Sequence, residues 1–283
     1  MITTGRWTII NTVGRVCVIT GGASGIGAAT ARRLAGAGYR VVVADLDLDG
    51  ANRVAAEIGG FAAHVDVVNE QSVRALLGEV LERWGTPYAL VTSAGVTQAP
   101  VPAEDLDLPE WQRVMTVNVQ GTWLPAQIIG TAMAEEGRGA IATIASVAGM
   151  RSMPLHAYST SKAAVIQLTS NLATQWGSRG VRVNGVAPGY TLTPLLESRI
   201  AEGERKIERI LATNAMGRLV TADEVASTIE FLIGDAASAI TGVTIPVDAG
   251  WLVTPSWSTY GELVELSHDH TNPLSKTNER TRQ

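Results

Sequence analysis

"VITGGASGIGAAT", residues 18–30, carries an apolar, β-branched run straight into Gly21, Gly25 and Gly27 and then into an alanine-rich helical pattern. That order reads as a strand turning directly into a helix. Glycines at such a turn let the backbone approach a pyrophosphate, whose charge is stabilised by the helix N-terminus and its free N–H groups. The spacing differs from Gly-x-Gly-x-x-Gly, and a tight structural turn would use the same glycines. The next strand narrows the choice. "VVVAD" ends in Asp45, about twenty residues further on, where a carboxylate accepts hydrogen bonds from an adenosine ribose and repels a 2'-phosphate. No Arg or Lys stands among Gly22, Ala23 and Ser24 or directly after Asp45, so NAD is favoured over NADP. Asp66, closing "AAHVD", either meets the adenine amino group or caps the following helix.

Outward from this turn, short apolar runs alternate with longer helical patterns: "RVCVIT", "RVVVAD", "FAAHVDV", "YALVTSAG", "AIATIAS", "VRVNGVAPG" and "GVTIPVDAG". One long helix is predicted around residues 111–133 and another around 155–176. Fully apolar strands in repeated βα units imply a parallel sheet covered by helices on both faces, a doubly wound α/β fold. No Pro/Gly/Ser-rich linker divides the chain, so residues 1–283 read as one domain with its core at about 14–250. Residues 193–219, polar and helix-prone, interrupt the alternation at the carboxyl end of a strand and read as a substrate lid; residues 254–283 form a C-terminal extension.

A net charge of -5 and a pI near 5.5 argue against a nucleic-acid partner. Cys17 is the only cysteine, which suits a reducing compartment. The chain has neither a basic start followed by an apolar stretch nor eighteen uninterrupted apolar residues, so a cytoplasmic protein without a membrane partner is expected. His268 and His270 lack accompanying cysteines or carboxylates at useful spacing, and no metal site is expected.

"AYSTSKAAV", residues 157–165, sets Tyr158 four positions before Lys162, on one helical face. A nearby cation favours the phenolate of a tyrosine, whose pKa is otherwise about 10. Reaching roughly 7 needs about 4 kcal/mol, more than one solvated lysine supplies, so burial or a second cation must contribute. An oxidised nicotinamide would be that second cation.

With these residues assembled, the chain resembles the short-chain dehydrogenase/reductase family. The resemblance runs through "TGGASGIG", "VVVAD", "HVDV", "TVNVQG", "IASVAG", "YSTSK", "VRVNGVAPG" and "ITGVTIPVDAG". It implies a single Rossmann-type domain in which Tyr158 is the acid/base, Lys162 binds the nicotinamide ribose and tunes the tyrosine, Ser146 orients the reacting oxygen, and Asn118 supports a water linked to Lys162. It also implies cofactor contacts at Gly21, Ser24, Gly25, Ile26 and Gly27, at Asp45, Asp66 and Val67, at Ala94 and Gly95, at Tyr158 and Lys162, and at Pro188, Gly189, Thr191 and Thr193. A homotetramer, or at least a dimer, built on the two long helices is implied too. One motif departs: Thr92 and Ser93 stand where the family has two asparagines, so the usual bracing of the central sheet is in question.

The expected reaction interconverts a secondary alcohol and a ketone, with NAD(H) as hydride carrier. Ser146, Met150, Met153, His156 and Tyr190 are the expected substrate lining, with a small polyol or sugar-like alcohol first and an apolar or aromatic alcohol second. His156 either bonds a substrate hydroxyl or faces solvent at its helix start. A catalytically silent dinucleotide-binding module is the alternative from another class; a serine hydrolase is disfavoured because "TIASVAG" lacks Gly-x-Ser-x-Gly. Trp251, Trp257 and Tyr260 are expected either to pack on the domain or a neighbour or to belong to a disordered tail.

Overall fold

The structure is a computed structural model and describes residues 13–203 and 206–254. The opening run forms β1 (Val16–Thr20), buried along its whole length. Its side chains alternate between two cores. Val16 and Val18 join one, Cys17 and Ile19 the other, as a strand covered on both faces requires.

Around β1 lie β2 (Arg40–Asp45), β3 (Phe61–His64), β4 (Ala89–Thr92), β5 (Gly139–Ile144), β6 (Val181–Pro188) and β9 (Thr244–Val247). They make a parallel seven-stranded sheet in the order β3-β2-β1-β4-β5-β6-β9. The direction of winding reverses between β1 and β4, which opens a crevice at their carboxyl ends. One face is covered by α1 (Gly25–Gly36), α2 (Leu48–Ile58) and α9 (Ala222–Ile233), through side chains such as Leu34, Val54 and Ile229. The other is covered by α3 (Glu70–Trp84), α5 (Gly121–Glu136) and α6 (His156–Trp176), through Leu76, Ile129 and Leu172. This is the doubly wound arrangement expected from the alternating pattern.

The long helix expected over residues 111–133 is interrupted. α4 (Leu108–Met115) passes into a π-helical turn, Thr116–Gln120, before α5 begins. Pro125, with no N–H to give to the carbonyl four residues back, removes one bond of the regular ladder just beyond that turn. Asn118 sits in the wide turn and is fully buried.

Between β6 and α9 the chain forms β7 (Thr191–Leu192), α7 (Pro194–Ala201), α8 (Ile207–Thr213) and β8 (Val220–Thr221), with β7 and β8 pairing in a small second sheet. Trp251 lies edge-on to Tyr190, their ring centroids 6.3 Å apart. Trp257 and Tyr260 lie outside the described residues. At the altered motif, the buried Thr92 hydroxyl has no hydrogen-bond partner among the described residues, and Ser93 is bound to β1 through its backbone N–H to Thr20 at 3.0 Å.

Two glycines in helices have opposite surroundings. A Cβ at Gly27 would lie 2.0 Å from the Gly21 carbonyl oxygen, whereas at Gly78 in α3 it would meet nothing within 4 Å. Gly27→Ala should therefore destabilise the fold by about 1–3 kcal/mol, and Gly78→Ala should stabilise it by about 0.5–1 kcal/mol; equilibrium denaturation of the two variants measures both.

Candidate active site

A cleft of about 580 Å³ opens at the carboxyl ends of β1 and β4, where the winding reverses. Its floor is the glycine turn. Gly21 and Gly25 have φ of +67° and +52°, a region costly for residues with a Cβ. At Gly21 a Cβ would also stand 2.5 Å from the Ala94 nitrogen, so β1 and β4 close together only because it is absent. Ser24, Gly25 and Ile26 bring the start of α1 to the cleft with its N–H groups.

Asp45 and Asp66 line one end of the cleft, with Leu46 and Val67. The Asp45 carboxylate accepts from the Ala23 and Asp47 backbone N–H groups, each at 3.0 Å, which holds it at the strand end. Asp66 accepts from the Val68 N–H at 3.1 Å, while Asn69 caps α3. Helix-start N–H groups at a glycine turn, two carboxylates and an open cleft fit a nicotinamide dinucleotide.

Tyr158 and Lys162 line the other end, with Ser146, Ala94, Gly95, Pro188, Gly189, Tyr190, Thr191 and Met153. α6 presents Tyr158 and Lys162 one turn apart. The ammonium does not bond the phenol directly: it lies 5.7 Å from the Tyr158 ring centroid and donates to the Ile144 carbonyl at 2.9 Å. Burial lowers the Lys162 pKa to about 8. Burial raises the Tyr158 phenol, and a hydrogen bond with Ser146 opposes the rise. Ser146 is itself fixed by accepting from the Ala148 N–H at 3.1 Å, at the start of a 3₁₀ turn, Val147–Gly149. That turn presses on α6 so closely that a Cβ at Gly149 would lie 2.6 Å from the Lys162 backbone.

Thr193 also lines the cleft, where it caps α7 by accepting from the Leu196 N–H, and Pro194, Leu195, Leu196 and Arg199 follow it there.

Four expected site residues lie outside the lining. Gly27 does not line the cleft; its role is the close packing of α1 on Gly21. Asn118 lies behind the wall, where its amide accepts from the Val96 N–H at 2.8 Å and donates to the Val96 carbonyl and the Ser161 hydroxyl, each at 2.9 Å. His156 borders a separate shallow depression with Ala103, Leu106, Asp107, Leu108 and Trp111. Residues two apart on a helix point to nearly opposite sides, so His156 turns away when Tyr158 faces the cleft. Met150 is partly exposed and is likewise outside the lining. Val96, Thr97 and Leu155 line the cleft although sequence reasoning did not single them out. They follow a strand or precede a helix without any chemical signature.

Comparison with known proteins agrees with this geometry. Residues 21–252 match the family profile described as Enoyl-(Acyl carrier protein) reductase. The chain is 39% identical over 248 residues to D-threitol dehydrogenase of Mycolicibacterium smegmatis, covering 85% of this chain and 94% of that one. A solved structure described as ribose-5-phosphate isomerase from Brucella melitensis is 46% identical, with a TM-score of 0.87, covering 89% of this chain and 98% of that one. The NAD+-bound xylitol dehydrogenase structure is 29% identical, with a TM-score of 0.80, covering 85% and 100%. The cradle at Gly21, the two carboxylates, the Ser146, Tyr158 and Lys162 cluster, the family match and the likeness to two polyol dehydrogenases agree, and the chain belongs to the short-chain dehydrogenase/reductase family, oxidoreductases that act on alcohol CH–OH groups with a nicotinamide dinucleotide.

Proposed function

We propose that the enzyme oxidises a small polyol or sugar-like alcohol with NAD, or reduces the matching ketone, and that Tyr158 is its acid/base. The observation that carries this reading is the convergence of Ser146, Tyr158 and Lys162 on a cleft whose far end holds Asp45. Ser146 holds the substrate oxygen beside the phenol, and Tyr158 takes the hydroxyl proton as the carbinol carbon loses hydride. Lys162 supplies positive charge under the tyrosine ring and, in this reading, holds the nicotinamide ribose. The bound cofactor supplies the hydride acceptor and a positive charge near the phenol. Asp45 favours NAD by accepting from ribose hydroxyls and repelling a 2'-phosphate. The remaining cofactor contacts are those of the glycine turn, Asp66, Val67, Ala94, Gly95, Pro188, Gly189, Thr191 and Thr193, and Asn118 acts from behind the wall.

Met153 and Tyr190 are read as substrate contacts beside Ser146. Val147, Leu155, Leu195 and Leu196 also line the cleft, and this apolar wall favours a second reading, a cyclic or otherwise apolar secondary alcohol. NADH formation against a panel of polyols, hydroxy acids and cyclic alcohols separates the two. A sugar isomerase would interconvert its substrate with no net NADH, so NADH formation would also argue against carrying the Brucella structure's described activity over to this chain. The rest of the reading is one domain over residues 1–283 with a lid at 193–219, a cytoplasmic location, and a homotetramer or dimer. The partly exposed Trp123 on α5 supports association, and light scattering tests it.

Tyr158→Phe should lower turnover at least a hundredfold while NAD affinity stays within about twofold, measured by steady-state kinetics and cofactor titration. Lys162 behaves differently because its charge is buried. Its pKa of about 8 lies below the ordinary 10.5, so the folded state binds fewer protons between these values and the charge opposes folding most below pH 8. Lys162→Met should abolish turnover yet raise the apo-protein Tm at pH 7 by a few degrees, and the gain should shrink by pH 10. Replacement of Asp45 by Ser should narrow an NAD-over-NADP preference of about tenfold or more, chiefly through the KM for NADP.

A further inference from the structure

α6 lacks a capping residue of its own. Its N-cap position is Leu155, whose side chain accepts nothing, and the preceding Pro154 supplies no oxygen-bearing side chain. The first-turn N–H groups of a helix have no partner within the helix, and buried ones are costly to leave unpaired. Here the partner comes from far away in sequence. The Oε1 of Gln98 accepts from the Ala157 N–H at 2.7 Å and from the Tyr158 N–H at 3.1 Å. These are the second and third residues of the helix, the pair that a local cap would serve. Gln98 is 3% exposed, so water does not compete for either bond.

We propose that Gln98 is a positioning residue for Tyr158, a remote cap that ties the wall after β4 to the first turn of the catalytic helix. The inference rests on the reading of Tyr158 as acid/base. Gln98 follows Gly95, Val96 and Thr97, all on the cleft wall. That wall is already held from two other directions, by Asn118 on Val96 and by the Arg113 guanidinium on the Thr97 carbonyl at 2.8 Å. A loop pinned at these points gives the amide of Gln98 little freedom. Its carbonyl therefore sets where the helix starts, and with it how far the phenol projects towards Ser146. A merely structural cap would stabilise the fold without such control of turnover.

Gln98→Leu keeps the bulk and removes the acceptor, whereas Gln98→Glu keeps the acceptor. Amide hydrogen exchange in the full-length protein should show Ala157 and Tyr158 exchanging at least tenfold faster in Gln98→Leu and near wild-type rates in Gln98→Glu. With the best alcohol of the substrate panel, Gln98→Leu should lose at least tenfold in kcat with the Kd for NAD within twofold, and Gln98→Glu should recover most of the loss. Asn69→Ala is the control. It removes two equivalent cap bonds, to the Gln71 and Ser72 N–H groups of α3, and should lower Tm while leaving kcat within twofold. Unchanged exchange at Ala157 and Tyr158 in Gln98→Leu overturns the proposal, as does faster exchange with an unchanged kcat. A wild-type protein that turns over no alcohol overturns the functional reading instead, and the exchange data still decide whether the cap exists.

Discussion

The closest approach in the glycine turn is between Gly27 and the Gly21 carbonyl, and the site depends on it. With hydrogen in place of a Cβ, α1 can settle onto the end of β1 instead of standing off from it. Its N-terminus then opens into the crevice made by the reversal of winding between β1 and β4. A positive helix end, bare backbone at Gly25 and a carboxylate one strand away at Asp45 follow from that single fit. Moving α1 outward would separate the three.

The end of the cleft that holds Tyr158 and Lys162 is organised by buried polar side chains that do not line it. Asn118 spends its amide on Val96 and on Ser161, and the Ser161 hydroxyl donates to the Tyr158 carbonyl at 2.7 Å. Gln98 holds the same helix from the next residues of the same loop. The result is a satisfied network around a pair of costly groups, a half-buried phenol and a buried ammonium. Such networks are rigid because each unmade bond in a dry interior leaves a desolvated dipole. The π turn in the helix that carries Asn118 belongs to this arrangement, since it brings the residue into the space between the β4 loop and α6.

The segment after β9 meets both ends of the excursion between β6 and α9. Asp248 accepts from the Gly250 and Leu252 N–H groups, Ala249 accepts from the Met216 N–H at 3.0 Å, and Trp251 meets Tyr190. Ala249 takes a φ of +51°, an unfavourable conformation for a residue with a Cβ, at the centre of this junction. Arg218 adds a bidentate pair with Glu224 on α9, which holds that carboxyl at a pKa of about 2.

The features legible in the sequence are those whose physics is local or periodic. Short apolar runs between longer helical patterns made the strands visible, the glycine spacing and Asp45 located one end of the cleft, and the four-residue offset of Tyr158 and Lys162 put them on one face. Ser146 and the Pro188, Gly189 and Thr193 segment were legible through family resemblance, and all four line the cleft. Tertiary structure alone decided the rest. His156 left the site because the rotation of α6 is set by Tyr158 facing inward, and nothing within the helix states which residue wins. Gln98 became a cap because the loop after β4 packs against a helix start 59 residues later, a contact with no periodic trace. The sequence did hold one negative sign of it, a helix start at Leu155 with no Ser, Thr, Asp or Asn at the cap position to receive its N–H groups. Unsatisfied donors show that a partner must exist; only the packing of strands and helices determines which side chain arrives.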